Sequence, residues 1–291
     1  MTRGIALLVL LAACGPDGGD LADGGIGDAA LDAPSGCTRP ALDPDVLGAA
    51  VTTTLAELPA PRATTLERQA ARTYLMNALA SMGWSAQLHS YAGGANVIAT
   101  IPATTGSAPQ IIVGAHFDTV SGSPGANDNA SGVAVVLAVA QMLVELPCRN
   151  AAVTVVLFDQ EEIGLFGSRA FAQTLSPADV RAVHTIDQVS WDDDGDRRFE
   201  LELPTAVLEA EWRAAAAIIG VPVTKTSTSG TDHQAFRDQG FAAIGLTEEF
   251  VGGDSSPERH LSTDTPATVN TPYLVLAARL TAQVVITEIG P

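Results

Sequence analysis

Residues 110–118 read Gln-Ile-Ile-Val-Gly-Ala-His-Phe-Asp, an unbroken apolar run that ends in a histidine and, two residues later, an aspartate. A continuous run of this length marks a strand buried on both faces. Residues 131–146 follow with the pattern of a buried helix, and 152–158 (AVTVVLF) repeat the buried-strand pattern. Working outward, residues 64–82 have helical spacing stopped by Gly83, and 96–101 form a short strand. Residues 182–186 and 242–246 read as further strands, and 203–219 and 272–286 as helices. Such alternation predicts an α/β domain: a three-layer α/β/α sandwich around a central mixed, mostly parallel sheet. Neither an internal repeat nor a second core is visible.

The 291 residues are 46% hydrophobic, enough for one large core or for two small ones. Their 33 acidic and 15 basic residues give a net charge of -18, which repels nucleic acid and anionic membrane surfaces. Some of that acidity is concentrated where a cation would need it. Five segments carry chemistry: GAHFDT around His116 and Asp118, PGANDNASG around Asp128, DQEEIGLFGS with Glu161 and Glu162, the AVHTID strand end at Asp187, and ERHLSTDT around His260. Each has an ordinary explanation when read alone. A histidine at a strand end is often structural, Asp128 and Asp187 are capping types, and paired glutamates usually face solvent. Together they lie at or just beyond predicted strand ends, or in a loop beside one, at the edge of an open α/β sheet where ligands bind. Two histidines with several carboxylates supply enough nitrogen and oxygen ligands for two zinc ions, one carboxylate being shared.

In order and approximate spacing, GAHFDTV, PGANDNASG, DQEEIGLFGS, Asp187 and RHLSTDTPATVN resemble the M28 family of zinc aminopeptidases, over about residues 60–285. The resemblance implies a hydrolase acting on peptide substrates with two zinc ions per chain. It implies that His116 and Asp187 bind one zinc, Glu162 and His260 the other, and Asp128 bridges them. Glu161 would be the general base, and Asp118 would orient His116. A cis bond between Asp128 and Asn129 is implied as well. One position departs: many relatives carry Tyr before the last histidine, whose hydroxyl helps to stabilise the oxyanion, and here Arg259 stands there. An always-charged guanidinium can serve that role or point to solvent. Gly230-Thr231-Asp232-His233 resembles a family segment near the substrate pocket, with His233 as support behind the ligands. His89 and His184 are expected to be structural or on the surface, Trp191–Asp196 a solvated turn, and Glu248 and Glu249 an exposed pair. The rival readings are a glutaminyl cyclase, a carboxypeptidase or dipeptidase of the same fold, and an inactive peptide-binding lipoprotein.

The N-terminus reads as an export signal over residues 1–13, with Arg3 before the apolar run Ile5 to Leu11. Leu11-Ala12-Ala13-Cys14 resembles the bacterial lipobox, so Cys14 is expected to be acylated and to anchor the protein to a membrane. Gly15 after the cysteine points, in a Gram-negative cell, to the outer membrane. Residues 14–37 form a Gly/Asp-rich tether, and 38–291 the catalytic domain. Cys37 and Cys148 remain, an even pair that suggests a disulfide in an exported protein. The sequence does not fix the oligomeric state.

Overall fold

The computed structural model describes residues 37–290. The expected signal peptide, Cys14 and the tether up to residue 36 lie outside them. Eight strands form one sheet: β1 (Gln87–Tyr91), β2 (Gly94–Ile101), β3 (Ala108–His116), β4 (Ala151–Phe158), β5 (Val180–Ile186), β6 (Phe199–Glu202), β7 (Val223–Thr226) and β8 (Ala243–Thr247). Their order is β1-β2-β4-β3-β5-β8-β6-β7. The central strands β4, β3, β5 and β8 pair in parallel. Antiparallel pairs attach β2 to β4, β1 to β2 and β6 to β8, so the sheet is mixed around a parallel centre.

Among the described residues seven α-helices accompany the sheet: α1 (Pro44–Glu57), α2 (Thr65–Ser81), α3 (Gly132–Val144), α4 (Phe166–Ala172), α5 (Ala206–Ile219), α6 (Asp232–Arg237) and α7 (Thr271–Ile289). One apolar core unites α1, α2, α3, α5 and α7 with one face of the sheet. A smaller core sets Phe171 of α4 and Phe236 of α6 against Ile112, Val156 and Val183 on the other face. Because β3 lies between β4 and β5, the crossovers through α3 and α4 run in opposite directions and cover opposite faces. The C-terminal ends of β3 and β5 therefore flank a switch point, where such sheets leave a crevice.

Local differences from the predicted elements have identifiable causes. The helix expected from residue 131 starts at Gly132, because residues 126–131 form an irregular turn with non-helical Asp128 and Asn129. The helix expected from residue 203 starts at Ala206, where Thr205 caps it by accepting from Leu208 N–H. The predicted start of α2 is sharper: Thr64 and Glu67 form a reciprocal capping box. Short β6 was hidden in Phe-Glu-Leu-Glu; it is flanked by β8 and β7, and all four residues are buried. Cys37 and Cys148 are joined by a disulfide with Cα atoms 5.3 Å apart, tying the start of the described chain to the loop before β4.

Candidate metal centre

His116 closes β3, and its ring is fully buried between two carboxylates. Its Nε2 is 3.3 Å from Asp128 Oδ1 and 3.3 Å from Asp187 Oδ1. His260 repeats the arrangement: its Nε2 is 3.1 Å from Asp128 Oδ2 and 3.1 Å from Glu162 Oε2. The two sets meet at Asp128, one oxygen in each. Ligand atoms of His116, Asp128 and Glu162 also lie within 4.8 Å of one another. The structure thus brings together all five residues expected as ligands.

These separations test whether the residues suit zinc. An imidazole Nε2 carries at most one proton, yet each faces two carboxylate oxygens. Bonds of 2.0–2.2 Å to a tetrahedral ion put neighbouring ligands roughly 3.3–3.5 Å apart, close to the four separations found. Glu162 Oε1 is buried with no hydrogen-bond partner, as expected of a ligand atom turned toward an ion. The donor set is nitrogen and carboxylate oxygen without thiolate, and it suits zinc.

The loop with Asp128 is held from several sides. Asp264 accepts from the N–H groups of Asn127 and Asp128, at 2.7 and 3.1 Å. Asn129 donates to Ile186 O and accepts from Gln188 N–H, lacing the loop to both sides of Asp187. The Asp128–Asn129 peptide bond is cis. Arg62 lies behind the loop, 1% exposed, and donates to the carbonyls of Phe117, Pro124 and Gly125. A side chain at Gly125 would collide with Arg62, Thr119 and the Asp128 carbonyl, so only glycine fits.

Asp118 does more than the sequence reading proposed. His116 Nδ1 is 3.2 Å from its backbone carbonyl, while its carboxylate accepts from the N–H groups of Glu161 and Glu162, at 2.9 and 3.2 Å. Asp118 therefore aligns the imidazole and the paired glutamates at once. Burial pushes the Glu161 carboxyl up to about 10, with the Asp187, Asp232 and Glu162 carboxylates adding to it. Burial and the charge of Asp128 raise Glu162 to about 7. Burial opposes ionisation of Asp128 too, but hydrogen bonds from His116 and His260 hold it well below the usual carboxylate range. The cluster, in which Asp118, Asp128, Glu161, Glu162 and Asp187 surround two imidazoles, is built to receive positive charge.

Arg259 does not turn away from this site. Its Nε is 3.4 Å from Asp128 Oδ2, and its guanidinium lies 5.7 Å from the Phe250 ring centroid. A cavity of about 110 Å3 opens beside it, lined by Asp128, Glu161, Asp187, Glu202 and Thr231 among others. A larger groove of about 610 Å3, between α1 and α2, shares no residue with this cluster.

One expectation is overturned. Glu248 is fully buried, not part of an exposed pair. It accepts from Asn127 Nδ2, Trp191 N–H and Ser256 N–H, and these donors make burial of the carboxylate affordable. Sequence reasoning also assigned no role to Arg62 or Asp264. His184 is a core residue between Glu288 and Trp212, and His233 is buried behind the cleft. Trp191–Asp196 is a loop whose N–H groups bond to Asp254, and its acids stand apart from the centre.

Comparison with known proteins agrees with this geometry. Residues 96–285 match the model of Peptidase family M28. Aminopeptidase YwaD of Bacillus subtilis is 32% identical over 162 residues, 52% of this chain and 34% of YwaD. The chain thus matches about a third of that relative's length. Among solved structures, Legionella pneumophila LapA aminopeptidase superposes with a TM-score of 0.76 at 20% identity, covering 86% of this chain and 73% of LapA. Porphyromonas gingivalis glutaminyl cyclase gives a TM-score of 0.68 at 19% identity, covering 84% and 98%. The fold is common to both activities, while the family match spans all five clustered ligands: the chain belongs to peptidase family M28.

Proposed function

We propose that this protein is an aminopeptidase that removes N-terminal residues from peptides with two zinc ions per chain. The supporting observation is the division of Asp128, one oxygen facing His116 and the other facing His260. His116, Asp187 and Asp128 would hold one ion, and His260, Glu162 and Asp128 the other. Bound zinc would supply Lewis acidity and lower the pKa of a water from about 15.7 to about 7. The positive charge of the bound ions would offset the burial and the neighbouring carboxylates that raise Glu161, leaving it ionised to take the proton from the attacking water and return it to the departing amine. It suits the task because Asp118 fixes its backbone by accepting from the Glu161 N–H, while its carboxylate lines the cleft. Arg259, beside Asp128 in the cleft, faces developing negative charge on the scissile carbonyl. Unchanged kcat in Arg259→Ala would remove it from that role.

The test is a screen of aminoacyl-arylamides beside their N-blocked forms, with and without chelator. Free-amine substrates should be cleaved, blocked ones spared, and activity lost to the chelator should return with zinc. Equal cleavage of blocked forms would refute the aminopeptidase reading and favour an endopeptidase. The structural likeness to a glutaminyl cyclase makes N-terminal glutamine a necessary substrate: release of the arylamine supports peptide hydrolysis, and release of ammonia supports the cyclase. Leu11-Ala12-Ala13-Cys14 supports export and lipid anchoring at Cys14. Cys14→Ser should leave the protein in the soluble fraction, and unchanged membrane fractionation would refute anchoring.

A further inference from the structure

The cleft beside the metal ligands contains a carboxylate that the chemistry above does not use. Glu202 ends β6, is 2% exposed, and pairs in register with Gly245 of β8. It lines the same cavity as Asp128, Glu161 and Asp187, among the hydroxyl-bearing residues Thr228, Thr231 and Thr247. Among the described residues its one hydrogen bond comes from Thr231 Oγ1, 3.2 Å from Oε2. His233 Nδ1 is 3.4 Å away, but its Nε2 lies 3.2 Å from Thr228 O, and burial pushes the ring down to about 4, so it is neutral. Among the described residues no lysine or arginine pairs with Glu202. Burial, with the Asp187 and Glu200 carboxylates adding to it, pushes its carboxyl up to about 8.

Neighbouring Glu200 shows the contrast. It is equally buried, yet the N–H groups of Val251 and Gly252 satisfy it. Glu202 has no such donors, and a buried carboxylate without them costs stability unless something enters to meet it. Arg259, the cation of the cleft, is drawn instead to Asp128 and to Phe250.

Position decides which cation fits. β8 separates β6 from β5, so the backbone of Glu202 lies roughly 10 Å across the sheet from the strand that delivers Asp187. The α-ammonium of a substrate is adjacent to the scissile carbonyl and must stay at the metal ligands. A charge at the end of a lysine's four-carbon stem can extend toward Glu202. We propose that Glu202 is a specificity-determining residue that receives the cationic side chain of a substrate's N-terminal residue. This rests on the aminopeptidase reading, and it assigns lysyl and arginyl N-termini as the preferred substrate class.

The test compares lysyl- and norleucyl-arylamides, which share a four-carbon stem and differ in the ammonium. With the zinc-loaded wild type, kcat/KM should favour lysyl by about tenfold or more, the range of a charge-assisted hydrogen bond. Glu202→Gln should lower the lysyl-to-norleucyl ratio by at least about tenfold, chiefly through KM. A wild-type ratio near one overturns the inference while norleucyl turnover leaves the aminopeptidase reading standing. A ratio unchanged in Glu202→Gln overturns it as well. If no arylamide is cleaved, the aminopeptidase reading fails, and calorimetry with lysinamide and norleucinamide still decides the role of Glu202. Tighter lysinamide binding, lost in Glu202→Gln, supports it; equal binding overturns it. The wild-type comparisons decide even if the variant does not fold.

Discussion

Replacing Arg62 by Met should weaken both the fold and the metal centre, although Arg62 is no ligand. The side chain is buried and donates to the carbonyls of Phe117, Pro124 and Gly125, in the segments that carry His116 and Asp128. Burial pushes its pKa down to about 10, so it stays charged at neutral pH, and Asp118, Asp264, Asp128 and Glu162 act on that charge. Methionine retains much of the stem and removes every donor. The buried carbonyls of Phe117 and Gly125 would lose their partner at about 1–3 kcal/mol each, and the part-buried ones of Pro124 and Pro59 would lose less. Local relaxation recovers part of this, so a net loss of about 3–5 kcal/mol is expected, similar to breaking a buried charge pair. At roughly 2–4 °C per kcal/mol for a domain of this size, the Tm should fall by roughly 10 °C. The assay is calorimetry at fixed free zinc, because bound metal itself raises Tm, with zinc affinity measured alongside. Arg62→Lys should fall between, since a point charge cannot reach three carbonyls at once. A Tm shift under about 3 °C in Arg62→Met with unchanged zinc affinity would refute the reasoning.

Glu161→Gln should keep its zinc and lose about 10²–10⁴ in kcat, the range of general acid–base catalysis; metal analysis with steady-state kinetics checks this, and near-normal turnover would remove Glu161 from the role. The disulfide closes a segment of 111 residues, so Cys37→Ser with Cys148→Ser should cost up to about 4.7 kcal/mol in denaturant unfolding. An unchanged midpoint would show that the link contributes nothing. His233 gives a pH dependence. Its folded pKa is depressed by burial from about 6.5 to about 4, so between these values the unfolded chain holds a proton that the folded chain lacks. Stability therefore falls as pH drops through that window, by up to about 3 kcal/mol from this ring. Urea melts at about pH 7 and about pH 4.5 should show a smaller acid-induced loss in His233→Gln than in the wild type. An equal loss would assign the effect to other groups.

His116, Glu162 and Asp187 were legible because each is a metal-binding type placed at or just after an apolar strand, and strand ends converge whatever the loops do, whereas Asp128 and His260 sit in loops and were legible through the family resemblance. His116, Glu162 and Asp187 follow β3, β4 and β5, three adjacent strands, so topology alone brings them together. The residues that hold them were not legible. Arg62 and Asp264 act across 63 and 137 positions of sequence, from Arg62 to Gly125 and from Asp264 to Asn127, and no local pattern distinguishes them from surface charge. Glu248 was misread for the same reason: its donors come from Asn127, Trp191 and Ser256, brought together only by folding. Glu202 was overlooked because alternating Phe-Glu-Leu-Glu normally signals a strand with one wet face, whereas β7 and β8 flank this one and both glutamates are buried.

The central claim is that Asp128 is shared between two metal ions, and anomalous diffraction at the zinc edge from zinc-loaded crystals tests it most directly. Two peaks are predicted. One should bond His116, Asp187 and one oxygen of Asp128, and the other His260, Glu162 and the second oxygen, at roughly 2.0–2.2 Å. A lone peak, or zinc at the acidic loop of Asp192, Asp194 and Asp254 with this cluster vacant, would contradict the account.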